Sequence, residues 1–510
     1  YGKGAPSNLI QYVTWSGNVY DTEKDLQLKD FNSSLERSTM VGMFGRVAYN
    51  YKQKYFLSVT LRRDASSKFG ENTRWGTFPS YAIAYTFTEE PYMDWARDFL
   101  DFGKVRLSYG KSGKQFEYPY FAFGVLIVNN VPFHGNQTIT PYWPDGLINP
   151  KLSWEETKQF DAGLDLEFFG NRLSFELDYY YRYTDKLLAQ VTLPGDYNAY
   201  ISQWQNAYAI SNQGIELQIK ADLVRSEKLH WDFSFNIARN WNRFEKSNNG
   251  MDFTNLASKH NLNIIGKPLN GIYVYNDQGY YNSQDEVPLY YVNGKRKYLS
   301  SLGNQIYTPG DRRIQDVDGN GQVATMVPLL EDRVYGGSPL PLAFGGIATT
   351  LKWKGIDVNL LFSYKLGRHV LNAGRRASVG TILRANTAEM MVPILADLDK
   401  VSFWQKPGDN TDFPINELEN GKNNFATNLK SNVEKINYLK LKSISIGYML
   451  PVFPKQSKHY ARVFMSVENV FTITNSSSPD PESIDIVTGV DSNNNYPLAT
   501  RYTLGLTLNL

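Results

Sequence analysis

Apolar residues recur at every second position along much of this chain. From Leu173, the residues Phe175, Leu177, Tyr179, Tyr181 and Tyr183 fall on one face, while Glu176, Asp178, Tyr180 and Arg182 fall on the other. Ile215–Leu223 repeats the design with Glu216, Gln218 and Lys220 between its apolar residues, and Trp231–Ile237 and Tyr502–Leu510 follow it. A period of two sends alternate side chains to opposite faces of a sheet. The pattern predicts about 14 strands, near 9–19, 40–50, 55–63, 77–88, 103–112, 155–168, 172–184, 207–223, 229–242, 339–353, 356–366, 434–450, 460–472 and 500–510. One face of such strands suits lipid and the other water, as in the wall of an antiparallel transmembrane β-barrel.

The links between the strands alternate in length. Short ones fall at 50–54, 169–172, 225–228, 354–355 and 451–460, and long ones at 63–76, 111–154, 185–206, 243–338, 367–433 and 475–500. Traced along the chain, all short links lie at one strand end and all long ones at the other. The segment 88–103 is an intermediate-length exception on the short side. Soluble domains rarely use loops beyond about 12–15 residues and have no reason to gather them at one rim. Outer-membrane barrels do so systematically, with short periplasmic turns and long extracellular loops.

Composition changes the picture little. Charge is balanced, with 53 Lys and Arg against 51 Asp and Glu, so bulk electrostatics does not favour nucleic acid. There is no cysteine, which removes disulfides, thiolate metal sites and thiol catalysis. No apolar run reaches the roughly 18 residues of a membrane helix. The mean hydropathy of −0.42 is compatible with a barrel, whose strands are only half apolar. Aromatic content is 14%, with 35 Tyr, suited to interfacial girdles. Tyr1 is neither an initiator nor part of an export signal, so the sequence is expected to be a cleaved fragment or a portion of a longer chain.

Several segments resemble the SusC/RagA family of TonB-dependent outer-membrane transporters. In chain order they are Leu61-Arg62-Arg63-Asp64-Ala65-Ser66-Ser67-Lys68-Phe69-Gly70, Arg74–Ser80, Val105–Gly110, Asn149–Gln159, Asn212–Leu217, Asp316–Gly321, Tyr438–Tyr448 and Val467–Thr472. The resemblance runs from about residue 40 to the end. It implies a barrel of about 22 strands closed by an N-terminal plug, of which residues 1–510 supply the C-terminal wall, without the plug, the TonB box or roughly eight strands. It also implies the remaining N-terminal barrel and plug, a SusD-like surface lipoprotein and the TonB–ExbB–ExbD system as partners, with outer-membrane lipid around the wall of a Gram-negative cell. The import of oligosaccharides or oligopeptides follows from the same resemblance. Alone, the piece would leave two unpaired strand edges in lipid and is expected not to be autonomous.

Candidate chemistry is sparse. Tyr180 and Arg182 are candidate substrate contacts on the polar face. Trp143 and Trp204 are candidates in long outer segments, where their rings would stack on a substrate or pack locally; Lys400–Lys406 reads similarly. Asp316, Asp318, Asn320 and Gln322 alternate oxygen-bearing side chains around Gly319 and Gly321, like the first half of a calcium loop. The position that would carry its bidentate acid is Val327, and the nearest acids are Glu331 and Asp332. Calcium is therefore a candidate cofactor beside a plain Asx- and Gly-rich turn. The five His are scattered without metal or nucleophile spacing, and the adjacent acids Glu89-Glu90 and Glu155-Glu156 lack the facing separation of a glycosidase pair. No enzymatic activity is expected. The alternative to a transporter wall is a non-transporting, glycan-binding surface protein built as a β-sandwich.

Overall fold

Thirteen long strands run antiparallel, each hydrogen-bonded to the next along the chain. They are β1 (Met40–Tyr51), β2 (Tyr55–Ser66), β3 (Trp75–Thr86), β4 (Leu100–Lys114), β5 (Glu155–Phe168), β6 (Leu173–Thr192) and β7 (Ser202–Arg225). β8 (Leu229–Lys246), β9 (Ala343–Trp353), β10 (Ile356–Asn372), β11 (Val433–Leu450), β12 (Tyr460–Thr474) and β13 (Arg501–Asn509) complete the series. A two-residue segment, Val490–Asp491, pairs in parallel with the end of β10 and makes the sheet fourteen-stranded. The computed structural model describes residues 37–118, 121–122, 127–133, 136–142, 147–193, 202–248, 253–254, 261–292, 294–301, 304–323, 332–374, 402–411, 413–415, 422, 428–451, 460–492 and 496–509. The strand expected near 9–19 lies outside them.

The register keeps each face chemically uniform. One row crosses eight strands as Leu166, Phe175, Ile219, Phe235, Ile347, Phe362, Leu441 and Phe471. One residue along, the opposite face reads Asp165, Glu176, Gln218, Asn236, Gly346, Ser363, Lys440 and Thr472. A slip of one residue in any strand would exchange the two sets, so the pattern itself specifies the pairing. The apolar face is not covered by a second sheet among the described residues: β6 packs against β5 and β7, and Tyr179 and Tyr181 stay 37% exposed. A β-sandwich would bury that face.

Aromatic residues bound the apolar band. Tyr85 and Trp75 stand ten residues apart on β3, and Trp231 and Trp241 ten apart on β8, all on the apolar face. Ten residues at about 3.3 Å, tilted by about 40°, span about 25 Å, the height of the lipid-facing band of an outer-membrane barrel. At the long-loop boundary, the Arg63 guanidinium stacks on Trp75 at 4.9 Å and Arg239 on Trp241 at 4.5 Å. At the short-turn boundary, Tyr55 and Tyr85 stack at 5.1 Å.

Links divide as expected. Lys354–Gly355, with φ of +47° and +87°, is a two-residue turn that matches strand twist. Lys52–Gln53 and Phe169–Asn171 likewise use positive φ. The longer link after β3 coils into two 3-10 turns, Phe87–Glu89 and Pro91–Ala96. The other rim differs from expectation at 185–206, most of which is strand. β6 and β7 run for 20 and 24 residues, about twice a membrane crossing, and rise above the band as a ribbon. Alternation fails there because bulges near Thr184 and Leu187, with Lys186 at φ +58°, shift the faces while the hydrogen-bond ladder continues. A separate small core packs Tyr275, Tyr281, Leu299, Tyr307 and Ile314 of the 243–338 link against Leu429 of the 367–433 link.

Leu177→Arg places a cation mid-band on the apolar face at about 2–4 kcal/mol. It should cut the yield of heat-modifiable, folded protein, whereas Gln218→Arg on the polar face should fold like the wild type. Equal yields would reverse the assignment of faces.

Candidate functional site: polar face and outer rim

The polar face is stitched by side chains that cross a strand. Arg106 on β4 donates from Nε and Nη2 to both carboxylate oxygens of Asp165 on β5, each at 2.7 Å, and from Nη2 to Asp178 on β6 at 3.0 Å. To reach β6 it must lie over Gly163, the register partner of both Arg106 and Asp178. A Cβ at 163 would come within 2.6 Å of the guanidinium and 2.5 Å of Asp178. The fork geometry of guanidinium and carboxylate makes this a directional clamp. Two further crossings follow the same plan. Tyr180 passes over Gly214 to donate to Asn240 at 3.2 Å, and Arg462 passes over Gly447 to grip Asp357, its Nε donating at 2.9 Å. These contacts neutralise wall charge in place. Arg182 differs: exposed and stacked 5.1 Å over the Tyr180 ring, its guanidinium makes no hydrogen bond or ion pair among the described residues.

At the long-loop rim the aromatic candidates divide. Trp204 sits in a nest with Phe116 at 5.0 Å, Tyr118 at 5.8 Å and Phe121 at 6.0 Å, while its carbonyl accepts from Asn149 Nδ2 at 2.8 Å. Tyr118 is 47% exposed, so the nest presents an aromatic surface outward. Trp143 lies outside the described residues. Trp404 is 6% exposed and its ring packs over Gly310.

Where β11 meets the loop after β12, Lys440 is buried and ion-paired to Asp480 at 3.1 Å and Glu482 at 3.0 Å, and Lys442 reaches Glu482 at 2.9 Å. Burial opposes ionisation of Asp480, but the N–H groups of Glu482 and Leu498 and the Lys440 ammonium outweigh it and hold its carboxyl below the usual range. For Glu482, burial is likewise outweighed, by Lys442 and Lys440. Arg368, fully buried, donates to the carbonyls of Pro339, Ile484 and Asp485. The loop is thereby fastened to the wall by three cations.

The acidic loop closes on itself. Asp316 accepts from the N–H groups of Gly319 and Gly321, each at 2.8 Å, Asp318 from Asn320 at 3.1 Å, and Asn320 from Gln322 at 2.7 Å. The chain then returns so that buried Asp332 joins Asp316 and Asp318, with carboxylate oxygens of all three within 4.8 Å of one another. Asp332, five residues beyond Val327, thus brings a third acid to the loop, where its Oδ1 also accepts from the Val317 N–H at 2.9 Å. The donor set is all oxygen, as a hard cation requires. Gln322 instead turns its amide to Asn304 at 2.9 Å.

A family model described as "TonB dependent receptor-like, beta-barrel" matches residues 1–373. The chain belongs to the TonB-dependent receptor family. Among curated relatives, TonB-dependent receptor P3 of Formosa agariphila is 30% identical over 99% of this chain and 49% of its own. TonB-dependent receptor SusC of Bacteroides thetaiotaomicron is 27% identical over 95% of this chain and 45% of its own. The solved RagAB peptide transporter superposes with a TM-score of 0.68 at 24% identity, over 96% of this chain and 50% of that one. This TonB-dependent receptor chain spans about half the length of the curated relatives it matches. The family consists of outer-membrane receptors and transporters, not enzymes, so the apolar face of the receptor wall meets lipid.

Of the receptor's features, the Arg106 clamp and the Lys440 network were not anticipated. Alternation along β4 (Val105, Leu107 and Tyr109 against Lys104, Arg106 and Ser108) puts Arg106 on the polar face, but only the pairing brings it to Asp178. No sequence signal joins Lys440 to residues forty positions away.

Asp480→Ala should destabilise the folded receptor by about 3 kcal/mol, because it strips a partner from a buried cation. Both carboxyls titrate below their unfolded values, so their contribution is present above about pH 4 and lost as pH falls through the depressed folded values. The apparent melting temperature should drop over that acid range, and less steeply in the variant.

Proposed function

We propose that this chain is the barrel wall of an importer of oligomeric nutrients in the outer membrane of a Gram-negative bacterium. The observation that carries the reading is the two-faced, one-sheet wall with its long links folded at a single rim. A polar face stitched by Arg106, Tyr180 and Arg462 lines an aqueous bore, and the rim aromatics face arriving substrate. Arg182 on its Tyr180 platform is a polar-face contact open to ligand, and Trp204 serves at the rim. The rest of the full-length protein supplies the missing strands against the exposed edges β1 and β13, and the plug through which TonB–ExbB–ExbD does work. A SusD-like surface lipoprotein seats on the long-loop rim. The substrate is an oligosaccharide or an oligopeptide, two classes that share many hydrogen-bonding groups and weak charge.

Uptake tests this directly. Cells carrying the intact receptor should accumulate one of two labelled pools, oligosaccharides or oligopeptides, and lose accumulation with a protonophore or without the receptor. Arg182→Ala should lower uptake of that pool with normal receptor abundance. Uptake of neither pool, or uptake indifferent to the protonophore, defeats the reading.

We also propose that the Asp316, Asp318, Asn320 and Asp332 loop takes a hard divalent cation, calcium by preference. The support is the return of Asp332 to the alternating oxygen donors. Calcium titrated into the metal-stripped receptor should release heat and raise the melting temperature, and Asp318→Ala should abolish both responses. An unresponsive wild type would leave a metal-free turn.

A further inference from the structure

We infer that the link between β3 and β4 is a foot that binds the phospholipid headgroup region of the inner leaflet. The inference rests on the wall's apolar face meeting lipid. Antiparallel neighbours need only a tight turn, and the turns at Lys52–Gln53, Phe169–Asn171 and Lys354–Gly355 provide one. Residues 87–99 instead fold into two 3-10 turns with a buried side and an aromatic side.

The buried side is fixed to the wall. Thr88 Oγ1 accepts from the Gly103 N–H at 3.0 Å, and Ala96 and Leu100 are buried. The Phe87 ring occupies the space above Gly103, where a Cβ would lie 2.3 Å from it. The other side presents Tyr92, Trp95 and Phe99 at 60%, 71% and 38% exposure, and Trp95 and Phe99 lie 5.9 Å apart. The next turn adds Phe169, 58% exposed, whose N–H donates to the Phe99 carbonyl at 3.0 Å. Contiguous exposed rings of this kind mark a surface that is covered in use.

Continuity with the wall selects the occupant. Tyr92 and Tyr85 join their hydroxyls at 2.8 Å, and Tyr55 donates to Glu90 at 2.7 Å. Tyr55 and Tyr85 are the short-turn girdle of the lipid-facing side, so the patch extends that girdle. Arg97 and Asp94, paired at 2.9 Å, add exposed charge among the rings. Rings mixed with charge and lacking a long apolar run suit the membrane interface, where Trp and Tyr are enriched.

Nitroxide labelling of the full-length protein in phosphatidylethanolamine and phosphatidylglycerol bilayers tests this. Labels go on Trp95→Cys and, separately, Phe99→Cys, with Ile219→Cys marking the lipid face and Glu227→Cys marking a water-exposed turn. Heat-modifiable migration confirms folding of each. The ratio of collisions with oxygen to those with a neutral nickel chelate should be several-fold higher at 95 and 99 than at 227. A ratio at 95 and 99 equal to that at 227 overturns the foot, and so does suppression of both collisions there, which signifies a protein cover. A watery Ile219 label would instead fault the lipid face itself.

Discussion

Backbone hydrogen bonding in lipid is the constraint from which this architecture follows. Hydrocarbon offers no partner to an unpaired N–H or carbonyl, each of which costs several kcal/mol. A strand crossing it must therefore be paired along its whole length on both sides. Each described wall strand between β1 and β13 has a hydrogen-bonded neighbour on both sides, although on one side of β3, β8 and β12 the ladder covers only part of the strand, and the two edges have a single neighbour within the described residues. Pairing on both sides leaves only the two faces free to differ. The period-two sequence exploits that freedom, giving one face to lipid and the other to water. The links of both rims stand outside the hydrocarbon layer for the same reason, because lipid-exposed irregular backbone is tolerated only there.

The same constraint governs what was legible in the sequence. Within the band, side-chain alternation and the ladder are locked together, so strands such as Leu173–Tyr183 and Ile215–Leu223 declare both their existence and their facing. Above the band the lock is released. The β6–β7 ribbon persists through bulges near Thr184 and Leu187 because water tolerates either face there, and the periodic signal ends while the pairing does not. The small core around Tyr275 and Tyr307 is hidden for a related reason: its strands are two to five residues long and draw partners from distant parts of the chain. The acidic loop lies between these extremes. Its Asx and Gly spacing was plain from residues 316–322, yet Asp332 joins it only through a return path that spacing does not encode.

The polar face shows a second kind of information that a linear reading misses. Gly163, Gly214 and Gly447 look like weak points, since glycine in a strand has no side chain to pack. Each lies beneath a long side chain that bridges to the strand beyond. A glycine in the middle strand converts a nearest-neighbour contact into a three-strand one, and so couples strands that share no ladder. Identifying the clamp requires register, because Gly163 matters only through its pairing with both Arg106 and Asp178.

In the importer proposed above, these clamps bear on how a wide barrel holds a moving plug. A lumen lined with free charges would attract the plug strongly wherever opposite charges met, and release would then have to overcome those pairs. Arg106 spends its donors on Asp165 and Asp178, and Arg462 on Asp357, so these wall charges are satisfied before a plug arrives. What remains for a plug or a substrate is a polar surface with open groups such as Arg182. Pairing charge within the wall stiffens the sheet and at the same time lowers the adhesion of whatever moves past it. A surface of that kind suits transport, in which each contact must form and break in every cycle.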